Sequence, residues 1–405
     1  IDRWNAMLDC LHIQNKIVTV DEKREIDLSD SKSKTQKTVK AILRELAPIS
    51  EDFDKATIKD VDYIEMRLDR EQIPVPELIL FTMKDLLGIK IEGPFEKVRW
   101  SILATYRRYP VRFELRKMGF AIECPEIIAE EIMQKLNSSN RVLAGQFLSK
   151  FCEYQARRGQ VSLLNKYPTL RDSYLFFRQK AKEAFAAPPP PAEQIVSADG
   201  SIVGQRWHWR KNEKEGANYA IAMINSFFSM LEHLLVLCAP FMGFQPADGR
   251  LVSLIGAQWG QKYKLVFDMS TDHEAKRFYD RLREIKEEYR NPQAHGGFER
   301  EWWSMYFHLP GVGALPAKLV NHKYSFEPVS LMDFEDICRI LDEFETFLNT
   351  GKSRYGIKFA NAGLNVSFGD NSILEYQDAM KSDKDFEAFL DHEAYEADRH
   401  TNMEY

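Results

Sequence analysis

The segment Ile221–Cys238, IAMINSFFSMLEHLLVLC, decides the fold of the second half of the chain. Its apolar side chains recur at steps of three and four residues, which places them on one face of an α-helix. They are Ile221, Ile224, Phe228, Leu231, Leu235 and Cys238. A second stripe holds Phe278, Leu282, Ile285 and Tyr289, and a third holds Phe334, Ile337, Leu341, Phe344 and Leu348. Three helices with one apolar face each predict a helical bundle.

The ends of these helices carry their own signals. Thr271-Asp272-His273-Glu274 has the form of a capping box, which predicts the start of the second helix. The third helix is expected to start near Ser330 and to stop at Gly351. Between them, residues 302–324 are rich in aromatic residues, Gly and Pro, and favour a hairpin or irregular insertion.

The upstream half is expected to be mostly helical. Asn140 is a plausible N-cap for a helix that stops at Gly159, and another helix is predicted from Thr169 to Phe185. The apolar segment Glu77–Ile89 fits either a helix or a buried strand. A local basic cluster is interpreted as solvated surface in preference to a nucleic-acid patch; it contains Arg107, Arg108, Arg112, Arg116 and Lys117.

Four consecutive prolines, Pro188–Pro191, mark the clearest break in the chain, because proline donates no backbone N–H. We therefore predict a mainly α protein with a mostly helical N-terminal domain (1–185), a Pro-rich linker (186–206) and a helical bundle (207–351). Residues 352–405 follow as an acidic extension, since Asp370–Tyr405 contains eleven acidic and three basic side chains. Such extensions are usually solvated. The more specific hypothesis is that this segment acts as an intramolecular decoy, which occupies a basic RNA-binding groove of the same chain.

Composition limits the class of protein. The chain has 405 residues and a net charge of −6, enough for two or three domains. Glu232 and His233 interrupt the longest apolar stretch, Met230–Phe244, so we expect no membrane span. The five cysteines lie far apart, which argues against a disulfide scaffold or a CxxC metal motif. These features predict a cytoplasmic protein.

The most specific chemical signal is Arg290-Asn291-Pro292-Gln293-Ala294-His295. On a continuous α-helix, a five-residue step would point the Arg290 and His295 side chains ~140° apart. Pro292 cannot lie inside a helix but suits a first helical position. We therefore expect the preceding helix to end near Tyr289–Arg290, and a short restart to bring His295 back toward Arg290.

This segment resembles the ribonuclease motif of the HEPN superfamily, an Arg followed by a polar residue, often Asn, and then by His after a gap. The resemblance covers roughly residues 207–351. It implies a HEPN-like bundle and a metal-independent endoribonuclease without a cofactor, in which Arg290, Asn291 and His295 are the catalytic residues. Their chemistry agrees: His can serve as base or acid near neutral pH, and Arg stabilises growing charge on phosphate.

Each chain carries one such motif, and HEPN nucleases are paired domains with a composite cleft. The resemblance therefore implies RNA as substrate and a homodimer formed through the C-terminal bundle. In this family the architecture commonly belongs to toxin or antiphage abortive-infection systems, so we expect a regulatory protein or trigger at the N-terminal domain. The alternative is a non-catalytic helical adaptor that binds protein or nucleic acid. Glu232-His233 is interpreted as an ordinary boundary pair in preference to a core-facing or dimer-facing polar pair that supports Arg290.

Overall fold

The computed structural model describes residues 22–49, 61–69, 71–198, 200–206, 210–290, 306–316, 329–351 and 353–403. Helices make up most of its regular structure, so the predicted mainly α class is confirmed. The chain forms two compact units: residues 1–155 with 396–405, and residues 156–395.

The first unit combines helices with a five-stranded antiparallel sheet. The strand order is β1-β3-β4-β5-β2, and every neighbouring pair is antiparallel. The elements are α1 (Glu22–Ile42), β1 (Leu46–Pro48), β2 (Tyr63–Leu68), α2 (Glu77–Phe81), β3 (Val98–Tyr106), β4 (Tyr109–Arg116), β5 (Gly119–Pro125), α3 (Glu126–Leu143) and α4 (Ser149–Arg158). The π-helical turns Thr82–Leu86 and Ala144–Leu148 continue α2 and join α3 to α4.

Buried and more exposed side chains alternate along the strands, which places one face of the sheet in the core. On β3, Trp100, Ile102 and Ala104 occupy every second position and are buried. Successive side chains of a strand point to opposite faces, so one face of the sheet joins the core with helix α3. The opposite face carries charged residues such as Arg112 and Glu123, whose side chains form an ion pair at 3.2 Å.

The sheet corrects the expectation for the upstream half. Long helices are present there, but a sheet lies between them, so "mostly helical" describes this half incompletely. Glu77–Ile89, left open between helix and strand, begins as helix. Asn140 lies inside α3 and caps nothing, because the helical run continues to Arg158 through the π-helical turn. Gly159, at φ 73°, does follow the end of that run.

The basic cluster around Pro110 lies on and beside the hairpin of β3 and β4, where carboxylates balance most of it. Arg107 pairs with Glu45 at 2.9 Å and with Glu131 at 3.0 Å. Arg116 lies 2.7 Å from both Glu65 and Glu114. This pairing supports the interpretation as solvated surface.

The second unit is a helical bundle around one long helix. Its elements are β6 (Ser162–Leu163), α5 (Tyr167–Ala186), β7 (Glu193–Val196), β8 (Ile202–Arg206), α6 (Lys211–Cys238), α7 (Arg250–Gly256), α8 (Trp259–Val266), α9 (His273–Ile285), β9 (Tyr306–Leu309), β10 (Gly313–Pro316), α10 (Leu331–Leu348), α11 (Ser353–Asn361), β11 (Val366–Ser367), α12 (Asp370–Ala379) and α13 (Asp383–Asn402). Helix α13 starts in this unit and ends in the first.

The proline segment does not separate domains. Helix α5 packs along α6 in the same compact unit, with the Tyr174 and Phe227 rings 5.4 Å apart. The Asn212 side chain donates hydrogen bonds to the Ala187 and Pro188 carbonyls, which fixes the chain where α5 ends. The predicted linker 186–206 is thus a connection between two packed helices, and it contains the hairpin of β7 and β8. Prolines stop a helix, but only packing decides whether the stop is a domain boundary.

The three predicted apolar stripes form the core of this bundle. Phe228 of α6 contacts Trp259 of α8, and Phe344 of α10 lies 5.5 Å from Phe278 of α9. Helix α10 has the predicted N-cap: Ser330 forms a capping box with Asp333. Helix α9 starts one residue later than expected, because Asp272, and not Thr271, accepts the hydrogen bond from the Ala275 N–H. The described part of the insertion, 306–316, is the predicted hairpin.

The C-terminal segment is a packed part of the fold, contrary to its interpretation as a solvated acidic extension. Phe241, just after α6, stacks on Tyr376 with ring centroids 4.6 Å apart. It also contacts Phe386, which is fully buried. The acids of α13 face outward, where Asp383 pairs with Arg354 and Glu387 with Lys358. The acidic residues therefore belong to the solvent-facing side of helices whose apolar side completes the core.

Within the part of the chain that the structure describes, one helical run, Lys211–Met242, is long and apolar enough to cross a membrane. Of its most apolar window, 61% is buried inside the second unit. The central helix of a bundle passes the same length and composition test, so this run fits a core helix.

Candidate functional site

The second apolar stripe positions Arg290. Helix α9 buries Ala275, Phe278, Leu282 and Ile285, as its pattern predicts. Past Ile285 the helical run widens into a π-helical turn, Lys286–Arg290, and Arg290 is the last residue described there. Single π turns are rare and occur frequently at functional sites. Asn291 and His295 lie outside the described residues, so of the three predicted catalytic residues the structure places only Arg290.

Two side chains of α6 hold the Arg290 guanidinium. Its Nη1 lies 3.5 Å from Oε1 of Glu232, and its centre lies 5.4 Å from the centroid of the Phe228 ring. The side chain keeps 24% of its exposure. An aromatic face and a carboxylate together fix the plane of a guanidinium, and a guanidinium carries more N–H donors than this one contact with Glu232 uses among the described residues.

Glu232 is shared between two cations. Its second oxygen, Oε2, lies 3.7 Å from Nζ of Lys262 on α8, whose side chain is only 9% exposed. A buried lysine needs a compensating negative charge, and Glu232 supplies it. The sequence favours an ordinary boundary position for this glutamate, whereas in the structure it contacts Arg290.

His233 has a different role from its neighbour. Its Nε2 accepts a hydrogen bond of 3.0 Å from the Lys166 N–H, at the start of α5. Burial lowers the pKa of His233, and the charges of Lys166 and Lys262 lower it further. The imidazole is therefore a neutral acceptor that connects α6 to α5. Of the pair Glu232-His233, Glu232 contacts the candidate site and His233 has a structural role.

Lys286 adds a third cation. Its ammonium group lies 5.8 Å from the centroid of the Trp259 ring. Burial lowers the pKa of Lys286 and the charge of Arg290 lowers it further, against the opposing charges of Glu232 and Glu287. We call Lys262, Lys286 and Arg290, with Glu232 between them, the basic cluster.

The basic cluster contains more positive than negative charge. Among the described residues, Glu232 is the only carboxylate within ion-pair distance of Lys262 and Arg290. Like charges held near one another in a half-buried place favour the binding of an anion. The arrangement can therefore orient a phosphate group, and Arg290 is the member placed next to the rest of the predicted motif.

Sequence patterns missed Lys262 and Lys286. Lys262 belongs to a short amphipathic helix with two lysines, in which a charged residue is expected to face solvent, and Lys286 directly follows an apolar stripe. Their role depends on contacts with other helices, Glu232 of α6 for Lys262 and Trp259 of α8 for Lys286, which no local spacing encodes.

Comparison of the chain with family models, curated proteins and solved structures gives no match.

Proposed function

We propose that the chain is a metal-independent endoribonuclease of HEPN type, with Arg290, Asn291 and His295 as its catalytic residues. The observation that supports this best is the placement of Arg290. Glu232 and Phe228 hold its guanidinium, partly exposed and within a surplus of positive charge, directly before the rest of the motif. That is where a group that stabilises phosphate charge is needed.

In the proposed reaction the ribose 2′-oxygen attacks the adjacent phosphorus. A histidine takes the proton of the 2′-hydroxyl as the new O2′–P bond forms, and a second histidine gives a proton to the departing O5′ as the P–O5′ bond breaks. Arg290 binds the phosphate oxygens whose charge grows in the transition state, and the Asn291 amide orients them by hydrogen bonding. The products are a 2′,3′-cyclic phosphate and a 5′-hydroxyl.

Each chain supplies one motif histidine, so the proposal includes a homodimer in which two motifs meet across a two-fold axis. A cytoplasmic enzyme of this kind would harm its own cell. We therefore extend the proposal to a toxin or antiphage system in which a trigger or a regulatory protein acts through the N-terminal unit.

Cleavage of RNA in the presence of EDTA tests this function. The purified full chain, incubated with mixed cellular RNA and excess EDTA, is expected to cut it, because His and Arg carry the acid, base and charge-stabilising roles. Gel analysis of the RNA reads out the result. Loss of cleavage on chelation with recovery on adding magnesium would point to a metal-dependent nuclease. A stable dimer that never cuts RNA would favour the adaptor alternative.

A further inference from the structure

We propose that Lys286 and Arg290 together form a seat for a phosphate of the RNA backbone, and that Glu232 and Lys262 are the positioning pair that holds it in place. The inference rests on the proposed function for its choice of RNA as ligand. It adds two lysines and a glutamate that lie outside the Arg-Asn-x3-His motif.

The geometry of the helical run supports the seat. Lys286 and Arg290 are four residues apart in one π-helical turn, so they lie on the same side of it. Each cation lies over an aromatic ring, Trp259 for Lys286 and Phe228 for Arg290. These rings form an apolar floor that restricts the directions from which the cations can be reached.

The charges support an anionic ligand. Lys286 and Arg290 carry two positive charges, and Glu232, the carboxylate that pairs with Arg290 among the described residues, is already shared with the buried Lys262. The lowered pKa of Lys286 shows that the folded chain disfavours its protonated form. Charged groups whose pKa is shifted by burial and by a specific charged neighbour cluster at binding and catalytic sites.

The linkage between charge and stability gives the proposal a second readout. A lysine whose pKa is lower in the folded than in the unfolded chain destabilises the fold at any pH below the folded pKa, and this cost disappears as the pH rises from the folded pKa to the unfolded pKa. Near neutral pH, Lys286→Met is therefore expected to leave the melting temperature unchanged or to raise it.

The experiment compares Lys286→Met with Lys276→Met in the full chain. Lys276 lies on α9 of the same helical run and is exposed, so its replacement removes the same charge from a neighbouring place. The probe is a labelled single-stranded RNA whose 2′-hydroxyls are all methylated, which blocks cleavage and leaves the phosphates intact. Fluorescence anisotropy measures its Kd at several salt concentrations.

Lys286→Met is expected to weaken binding about tenfold, the loss of one charge-assisted contact. The slope of log K against log salt is expected to become shallower by about 0.7, as for one phosphate on a single strand. Lys276→Met is expected to change both quantities little, and Lys286→Arg to keep most of the affinity. The proposal is overturned if both methionine variants bind alike, or if Lys286→Met lowers the melting temperature strongly, since Lys286 would then be structural. Because the probe cannot be cut, these results do not depend on whether the chain cleaves RNA.

Discussion

Replacing His295 or Arg290 with alanine is expected to slow RNA cleavage by at least about a hundredfold. General acid–base catalysis by a histidine contributes roughly 10²–10⁴ to a rate, and removal of one donor to a developing anion costs about 10²–10³. The single-turnover cleavage rate of a defined RNA, measured with enzyme in excess, checks both values.

Two matched controls come from helix α9. Its exposed His273 and Arg281 offer the same side-chain types outside the site, and alanine at either is expected to keep the rate within about twofold. All four variants should retain the wild-type circular dichroism spectrum. If His295→Ala and Arg290→Ala cut RNA as fast as these controls, neither residue takes part in the chemistry.

Phe386→Ala is expected to destabilise the second unit by about 3–5 kcal/mol, the usual cost of removing a buried aromatic ring. Phe386 is fully buried and lies 4.7 Å from the Tyr355 ring and 6.2 Å from the Phe241 ring. Urea unfolding followed by fluorescence measures the change in unfolding free energy. The size of this effect tests whether the acidic C-terminal segment is part of the core.

Leu374→Ala is the control, because Leu374 belongs to the same segment but is 63% exposed. Its replacement is expected to change the unfolding free energy by less than about 0.5 kcal/mol. If both substitutions change the unfolding free energy by the same small amount, Phe386 is not packed in the core. The acidic segment would then be a solvated tail.

The second unit shows how far periodicity can predict a fold. The stripes on α6, α9 and α10 lie in the core as predicted. A long segment whose apolar residues recur every three and four positions can bury all of them together only as an α-helix. The caps were predicted to within a residue: Ser330 is correct, and Asp272 replaces Thr271. Local chemistry decides these features, so local sequence reveals them.

The expectations from the sequence fail where contacts between distant parts of the chain decide the structure. The sequence of β3 carries the alternating pattern Trp100, Ile102 and Ala104, but this pattern is short and lies next to the charged residues around Pro110. The prolines after Ala187 predict a domain boundary because a helix must stop there. Whether α5 then packs on α6 or elsewhere depends on complementary surfaces that are distant in the chain. The packing of the acidic segment also depends on distant surfaces. Its excess of acidic residues suggests a solvated tail, although Tyr376 and Phe386 within it are buried.

The candidate site divides in the same way. The spacing to His295 points to Arg290, whereas the sequence favours an ordinary boundary position for Glu232, which in the structure contacts Arg290. The local sequence does not reveal Lys262 and Lys286, because their partners, Glu232 for Lys262 and Trp259 for Lys286, lie far from them in the chain. The residues of a motif can be recognised from the local sequence. The residues that position the motif and supply the surrounding charge are recognised only from the folded structure.

The ends of the cleaved RNA test the central claim most directly. The claim is that Arg290 and His295 promote attack by the ribose 2′-hydroxyl on the neighbouring phosphate. Fragments produced by the full chain should therefore carry a 2′,3′-cyclic phosphate at one end and a 5′-hydroxyl at the other, as mass spectrometry can determine. Fragments with a 3′-hydroxyl and a 5′-phosphate would contradict it, because water would then be the nucleophile.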